Sequence, residues 1–456
     1  MKRHALQLGF FGATGTVTGS RYVLKGREGS LLVDCGMFQG VKALRLRNWQ
    51  AFPFDPAAIG AAVLTHAHLD HSGMLPVLAR GGFAGPVYCS PGTRELCAIL
   101  LRDAAYLQEE QARYANQHSF SKHHPALPLY TQEDAERALA LLEPLALGQR
   151  VQARGFSIEL VPAGHILGAS IVAVEAGGRR IVFSGDLGRP ADPVMRPPAP
   201  IAAADYLVVE STYGDRSHAP GDPEQELASH LRRALGRGGV VVIPAFAVGR
   251  AQTLLHYLAQ LRAAREIPPV PIYLNSPMAQ DATRLYRAFT AEHRLSAEEA
   301  AAACEVATFV RTAEESRALN ERREPMIIVS ASGMATGGRV LHHIAAFAPE
   351  PRNLLLFAGF QAAGTRGASI IAGATEVKIH GQYVPIRAEV VKMDSLSAHA
   401  DAGEILAWLR GFRAAPKRTF ITHGEPAAAD GLRRRIAETL RWECEVPDYR
   451  DSATLE

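Results

Sequence analysis

An α/β fold with a second module inserted into it is what this sequence predicts, on three observations. Short β-branched runs alternate with helical stretches rich in Ala, Leu and Arg, the pattern of layered α/β folds. A proline-rich break (Pro190, Pro193, Pro197, Pro198, Pro200) is incompatible with a helix or a central strand. Beyond it, Val/Ile strands are each followed by a helix, as in a parallel sheet, before the chain returns to short strands that carry histidines. The expected organisation is a first domain in two parts, residues 1–205 and 376–456, around an insertion at 206–375.

The strands follow from their composition. Leu31–Val33, Ala62–Leu64, Ile171–Val174, Ile181–Phe183 and Leu207–Val209 are short apolar runs, as are Val240–Ile243, Met326–Val329 and Leu354–Phe357; Ile158–Val161, with Glu159 inside it, and Phe420–Thr422 complete the series. Helices are expected near 94–115, 132–142, 224–236, 250–264, 279–289, 338–347, 403–411 and 427–440, where apolar residues recur with helical spacing.

Composition narrows the function classes. The 456 residues are 47% hydrophobic and 21% charged, with 49 Lys and Arg against 46 Asp and Glu. A net charge of +3 excludes a uniformly basic nucleic-acid tail but leaves room for a local basic groove. No run approaches the ~18 apolar residues of a membrane span. The start, MKRHALQLGFFGATG, lacks the apolar core of a signal peptide. Five scattered cysteines without CxxC spacing suit a reducing compartment, so a cytoplasmic location is expected.

The 17 histidines carry the chemistry. In Thr65-His66-Ala67-His68-Leu69-Asp70-His71-Ser72-Gly73, four possible ligands follow directly on a hydrophobic strand. His66 and His68, two apart, point the same way from extended or turn backbone, while Asp70 and His71 aim at a second point. A two-metal site needs such a pair of centres, about 3.5–4 Å apart. Three other strands end in possible ligands beside glycine: Gly164-His165, Ser184-Gly185-Asp186 and Thr422-His423-Gly424. Each is weak alone. Together they supply His66, His68, His165 and Asp186 for one metal, and Asp70, His71, Asp186 and His423 for the other if Asp186 bridges.

These motifs resemble the metallo-β-lactamase superfamily: HxHxDH, a later Gly-His, a Ser-Gly-Asp and a terminal Thr-His-Gly. Asp34 matches the superfamily's second-strand Asp, which helps orient the ligand loop. Glu210 in Val208-Val209-Glu210-Ser211-Thr212, His399 in Ser397-Ala398-His399-Ala400-Asp401, and His423 match motifs A, B and C of the β-CASP branch. That branch comprises RNA nucleases of the mRNA 3′-end cleavage-factor type and their bacterial and archaeal relatives. The resemblance implies a four-layer αβ/βα domain with an inserted β-CASP α/β domain, a parallel sheet flanked by helices. It implies two Zn²⁺ per chain and hydrolysis of single-stranded RNA by a zinc-activated hydroxide, endonucleolytic and also 5′→3′ exonucleolytic. His399, Glu210 and Asp70 are the implied catalytic residues, with His399 contacting the scissile phosphate or protonating the leaving 3′-oxygen and Glu210 holding its charge. His423, where DNA-directed members carry Val, implies RNA. His68, where diiron oxygen reductases carry Glu, implies zinc hydrolysis. Two other readings are a hydrolase of small thioesters or lactams and a non-catalytic RNA-binding subunit. The insertion argues against the first, the filled ligand positions against the second.

Three glycine-rich turns in the insertion, each with an arginine, suit phosphate contact. They offer Ser332, Gly333, Gly337, Gly338 and Arg339 in one loop, Arg250 in the second and Arg366 in the third. Phe246 and Phe360 beside them are expected in the core rather than stacked on bases. His118, His123 and His124 are expected in a solvated loop, and His342, His343 and His380 in structural or surface positions. A homodimer is a further expectation.

Overall fold

The computed structural model describes residues 6–118, 121–218, 220–359, 361–362 and 364–456. The chain divides into two units, the first comprising residues up to Asp192, Arg196–Ser217 and His399–Glu456, the second Pro193–Met195 and His218–Ala398.

Two seven-stranded sheets build the first unit. In spatial order one contains Ser452–Leu455, Leu6–Phe10, Tyr22–Lys25, Ser30–Val33, Ala61–Val63, Val87–Cys89 and Leu142–Pro144. The other runs Cys444–Glu445, Arg418–Thr422, Tyr206–Glu210, Arg179–Phe183, Ser170–Ala176, Phe156–Pro162 and Arg150–Ala153. Alternate residues of both, among them Leu31, Val33, Ile158, Val172, Phe183, Val208 and Phe420, form the core between the sheets. Helix Pro91–Gln117 packs on the first sheet and Pro426–Leu440 on the second, which completes the four layers.

Topology positions the site. Ser30–Val33 and Ala61–Val63 are parallel, as are Arg179–Phe183, Tyr206–Glu210 and Arg418–Thr422. Their carboxyl ends therefore share an edge, where α/β sheets gather functional side chains. Register does the rest: Val33 lies opposite Val63 and Glu210 opposite Thr422, so Asp34, the His66 loop, Asp186, Glu210 and His423 all emerge together.

The second unit holds a six-stranded, wholly parallel sheet in the order Thr308–Phe309, Ile272–Leu274, Met326–Ser330, Val240–Pro244, Leu354–Ala358, Glu389–Met393. Val241 and Ile243 face one layer of helices while Val240 and Val242 face the other, which accounts for the unbroken apolar runs. The boundaries expected at 205 and 375 differ from this division for a hydrogen-bonding reason. Tyr206–Glu210 pairs with Arg179–Phe183 of the first unit, and Glu389–Met393 with Leu354–Ala358 of the second. Short apolar runs show that a strand exists, not which sheet pairs with it.

Candidate active site

The ligand loop is folded by its own backbone. After Ala61–Val63 the chain runs through Leu64 and Thr65 into the one-turn helix Leu69–Ser72, where His71 N–H donates to the His68 carbonyl at 2.9 Å. The neighbouring segment lies so close that a Cβ on Gly36 would stand 1.6 Å from the Asp70 carbonyl oxygen, and Cys35 N–H donates to the His71 carbonyl at 2.7 Å. Asp34, at φ +59, fixes the loop from below. One carboxylate oxygen accepts from the Thr65 N–H at 2.7 Å; the other accepts from the Thr65 hydroxyl at 2.9 Å and lies 2.7 Å from His71 Nδ1. His71 Nε2 is thereby turned toward the site.

Two clusters converge on Asp186. His66 Nε2 lies 3.1 Å and His165 Nε2 3.3 Å from His68 Nδ1. Asp186 Oδ2 is 3.5 Å from His66 Nε2 and 3.6 Å from His165 Nε2. Tetrahedral zinc with ligands at about 2.0–2.1 Å has ligand–ligand edges of roughly 3.4 Å, so the four atoms fit such an ion. The other carboxylate oxygen, Asp186 Oδ1, lies 3.3 Å from His71 Nε2 and 3.6 Å from His423 Nδ1. Asp70, His71 and His423 form the second cluster, with His71 Nε2 and His423 Nε2 only 3.1 Å apart. Asp186 Oδ1 is buried without a hydrogen bond, as a carboxylate oxygen meant for a cation would be.

Electrostatics agree with that geometry. Burial, reinforced by neighbouring His71, holds His66 well below its ordinary pKa, and burial also lowers His68, which keeps both imidazoles neutral and fit to ligate. Burial pushes the Asp186 carboxyl up, but His423, His71 and His66 outweigh it and leave the group well below the usual carboxylate range. His71 is raised well above its ordinary value because Asp186 and Asp34 overcome its burial. A bound cation would replace that proton between the same carboxylates.

Beside the clusters stands a dyad. Glu210 is 1% exposed and accepts from the Leu187 N–H at 2.7 Å and the Thr212 N–H at 3.2 Å, with His399 Nδ1 3.2 Å from Oε1. His399 forms a bridge with Gly188 and precedes helix Ala402–Leu409, whose capping box is Asp401 with Glu404. That cap, expected as the bland explanation of the motif, is present together with the Glu210 contact. Against its burial, Glu210 and Asp186 raise the His399 pKa above the ordinary value.

All seven ligand candidates, with Asp34, Glu210 and His399, thus meet at one edge of the first unit. Sequence reasoning passed over Thr65 and Thr212. Thr65 Oγ1 also lies 3.1 Å from His66 Nδ1, and Thr212 Oγ1 3.2 Å from His423 Nδ1. One signal was legible: Thr precedes a ligand twice, in Thr65-His66 and Thr422-His423.

The insertion loops lie in the second unit and are braced internally. Arg339 donates to Asn275 Oδ1 and the Val310 and Arg311 carbonyls; Arg366 donates to the carbonyls of Lys378, Ala335 and Thr336. These guanidinium N–H groups, expected at a phosphate, thus also brace the loops through protein carbonyls. Ser332 Oγ accepts from Thr336 N–H at 3.0 Å and Gly337 N–H at 3.4 Å. Gly333 and Gly338 serve packing, since a Cβ would come within 2.8 Å of Phe246 N and the Ala331 carbonyl oxygen respectively; nothing lies within 4 Å at Gly337. Arg250 is 7% exposed, Phe246 is half-buried, and Phe360 lies outside the described residues. His118, His123, His124, His342 and His380 are exposed, whereas His343 is buried between Asn275 and Asn320.

Comparison with known proteins agrees with this geometry. Residues 14–269 match the Metallo-beta-lactamase superfamily model, 251–370 the Beta-Casp domain, and 383–447 the Zn-dependent metallo-hydrolase RNA specificity domain. A ribonuclease of Thermus thermophilus is 40% identical over 94% of this chain and 95% of its own length. The transcription termination factor FttA of Pyrococcus abyssi is 31% identical over 94% and 68%, and an RNase J-like protein of Methanocaldococcus jannaschii 28% over 96% and 97%. A crystal structure of a protein of unknown function from Enterococcus faecalis shares the fold, with a TM-score of 0.57 at 14% identity over 99% of this chain and 100% of that one. Among the described residues no helix is long and apolar enough to cross a membrane. The chain is a metal-binding member of the metallo-β-lactamase superfamily, in its Beta-Casp branch.

Proposed function

We propose that this protein is a zinc-dependent ribonuclease that hydrolyses phosphodiester bonds in single-stranded RNA, endonucleolytically and from the 5′ end, in the cytoplasm. One observation supports it above the others: Asp186 presents one oxygen to each of two ligand clusters, with a His399–Glu210 pair alongside. His66, His68, His165 and Asp186 would hold one zinc ion; Asp70, His71, His423 and the second Asp186 oxygen would hold the other. Such ions supply a water of lowered pKa and positive charge against the phosphoryl oxygens.

The chain's own residues do the rest. Asp34 and Thr65 hold the His71 ring in one tautomer and orientation. Glu210 holds a proton on His399 Nδ1, so His399 stays cationic to higher pH and can donate from its other nitrogen to the departing 3′-oxygen. The products are then a 5′-phosphate and a 3′-hydroxyl.

The test is digestion of 5′-labelled, 5′-blocked and unblocked single-stranded RNA by the zinc-loaded protein, with matched single-stranded DNA as competitor and zinc measured in parallel. Expected are RNA products ending in 3′-hydroxyl, little DNA cleavage and two zinc ions per chain. Intact RNA with a cleaved thioester or lactam would replace this reading with a small-substrate hydrolase. Intact RNA with far less zinc would replace it with a binding subunit.

A further inference from the structure

One surface helix of the first unit, with the residue pair just beyond it, supplies no side chain to the metal clusters. Residues 35–54 contain three cations, Lys42, Arg45 and Arg47, and no acid. Their helix, Lys42–Arg47, buries none of its residues. Trp49 just beyond it is 59% exposed, with Val41 and Leu46 also in solvent. Surface arginines elsewhere in the chain often have a carboxylate within one turn, as Arg137 has Glu133 and Arg317 has Glu314. Among the described residues Lys42, Arg45 and Arg47 form no ion pair.

The segment is nonetheless held firmly. The Asn48 side chain accepts from the Phe38 N–H at 2.9 Å and donates to the Phe38 carbonyl at 2.7 Å. The Arg47 guanidinium lies over the rings of Phe38 and Tyr449 at 5.4 and 4.3 Å. Phe38 follows Asp34 by four residues, and Met37 N–H donates to the Leu69 carbonyl of the ligand loop at 2.8 Å. A short basic helix and an exposed flat ring thus follow directly, along the chain, on the strand and turn that brace the ligand loop.

We propose that this segment is a docking surface for single-stranded RNA outside the cleavage site, with a base stacked on Trp49 and phosphates on Lys42 and Arg45. The identity of the polyanion rests on the ribonuclease reading. Aromatic rings and unpaired cations are what sequence-tolerant single-strand binding uses. A second copy of this chain is disfavoured as occupant, because a two-fold contact would set Lys42 and Arg45, which form no ion pair, against the same two cations.

Trp49 reports its own occupancy. Of the chain's three tryptophans, Trp442 is buried and Trp408 is half-buried, donating to the Ala199 carbonyl. In the zinc-loaded H399A background, so that RNA survives, titration with a 20-nucleotide single strand should quench tryptophan fluorescence, and W49F should lose that quench. W49A should weaken binding by roughly five-fold or more. K42A/R45A should reduce the slope of log K against log salt by about 1.4, at ~0.7 per phosphate on a single strand. Zinc content, read alongside, shows that each variant is properly assembled. Undiminished quenching in W49F, or unchanged affinity and salt slope, overturns the proposal. So does a dimer, seen by light scattering, that W49A makes monomeric. RNA bound through Trp49 but left uncut by the unmutated protein would refute the ribonuclease reading alone, and cleavage with unaltered variant binding would refute this proposal alone.

Discussion

Replacing Glu210 with Gln removes one charge from a buried position while keeping its shape. The carboxylate lies 3.2 Å from His399 Nδ1. Coulomb's law at that distance, with an effective dielectric constant of about 20, gives ~5 kcal/mol. Two effects reduce it: Leu187 N–H and Thr212 N–H already share the carboxylate, and His399 is 19% exposed to screening solvent. A hydrogen bond to a charged group, ~1.5–3 kcal/mol, is the better measure. At 1.36 kcal/mol per unit this is about one to two pKa units. The sign follows from the proton's role. His399 has a raised pKa, so its donor proton is fully present below the ordinary histidine value and is lost as pH rises through the raised one. E210Q should therefore move the alkaline limb of kcat/KM for RNA down by about one to two units. Rates well below both limbs should change little, and those above the limb should fall roughly 10–100-fold. The assay is a pH–rate profile of the unmutated protein, E210Q and H399A, with zinc content measured at each pH. An unmoved limb in E210Q, or the same limb surviving in H399A, would refute the assignment of His399 as proton donor.

The other predictions concern the clusters and their supports. D186A should abolish RNA cleavage and lower bound zinc, whereas H399A should keep its zinc and lose turnover by ~10²–10⁴-fold; elemental analysis with single-turnover kinetics separates the two. D34N should weaken zinc affinity by ~10–100-fold, read by chelator competition, because the amide upsets the Thr65 and His71 contacts that orient the ring. G36A should lower the melting temperature and the zinc content together, since its methyl group would lie 1.6 Å from the Asp70 carbonyl oxygen and the ligand loop would have to move.

Much of this architecture was legible, and unevenly so. Val240–Pro244, Met326–Ser330 and Leu354–Ala358 are parallel strands buried on both faces, so their unbroken apolar runs identified them directly. Helix Pro91–Gln117 announced itself by length and periodicity. Val87–Cys89, whose middle residue is Tyr88, and the two-residue Cys444–Glu445 went unseen, because neither is an aliphatic run and both exist through pairing with neighbours. The ligand candidates were visible because they follow the ends of apolar strands. The supporting contacts were not: backbone N–H donors such as Leu187 have no signature in sequence, and the strained φ of +50 at His423 falls on an ordinary-looking Thr-His-Gly. The loop arginines are ambiguous for a related reason, since a cation after a glycine-rich turn reads alike whether its partner is a phosphate or the turn's own carbonyls.

The pairing of Ser452–Leu455 with Leu6–Phe10, and the bond from His423 N–H to the Ala13 carbonyl, set an order of assembly. The ribosome makes the His66 loop early and the last ligand only after the whole insertion, at some 5–20 residues per second. Once the insertion is being made, the nascent chain already carries all four candidates of the cluster His66, His68, His165 and Asp186, and lacks only His423 of the other. The second cluster is therefore closed by a residue that reaches the site only after the whole insertion has been synthesised.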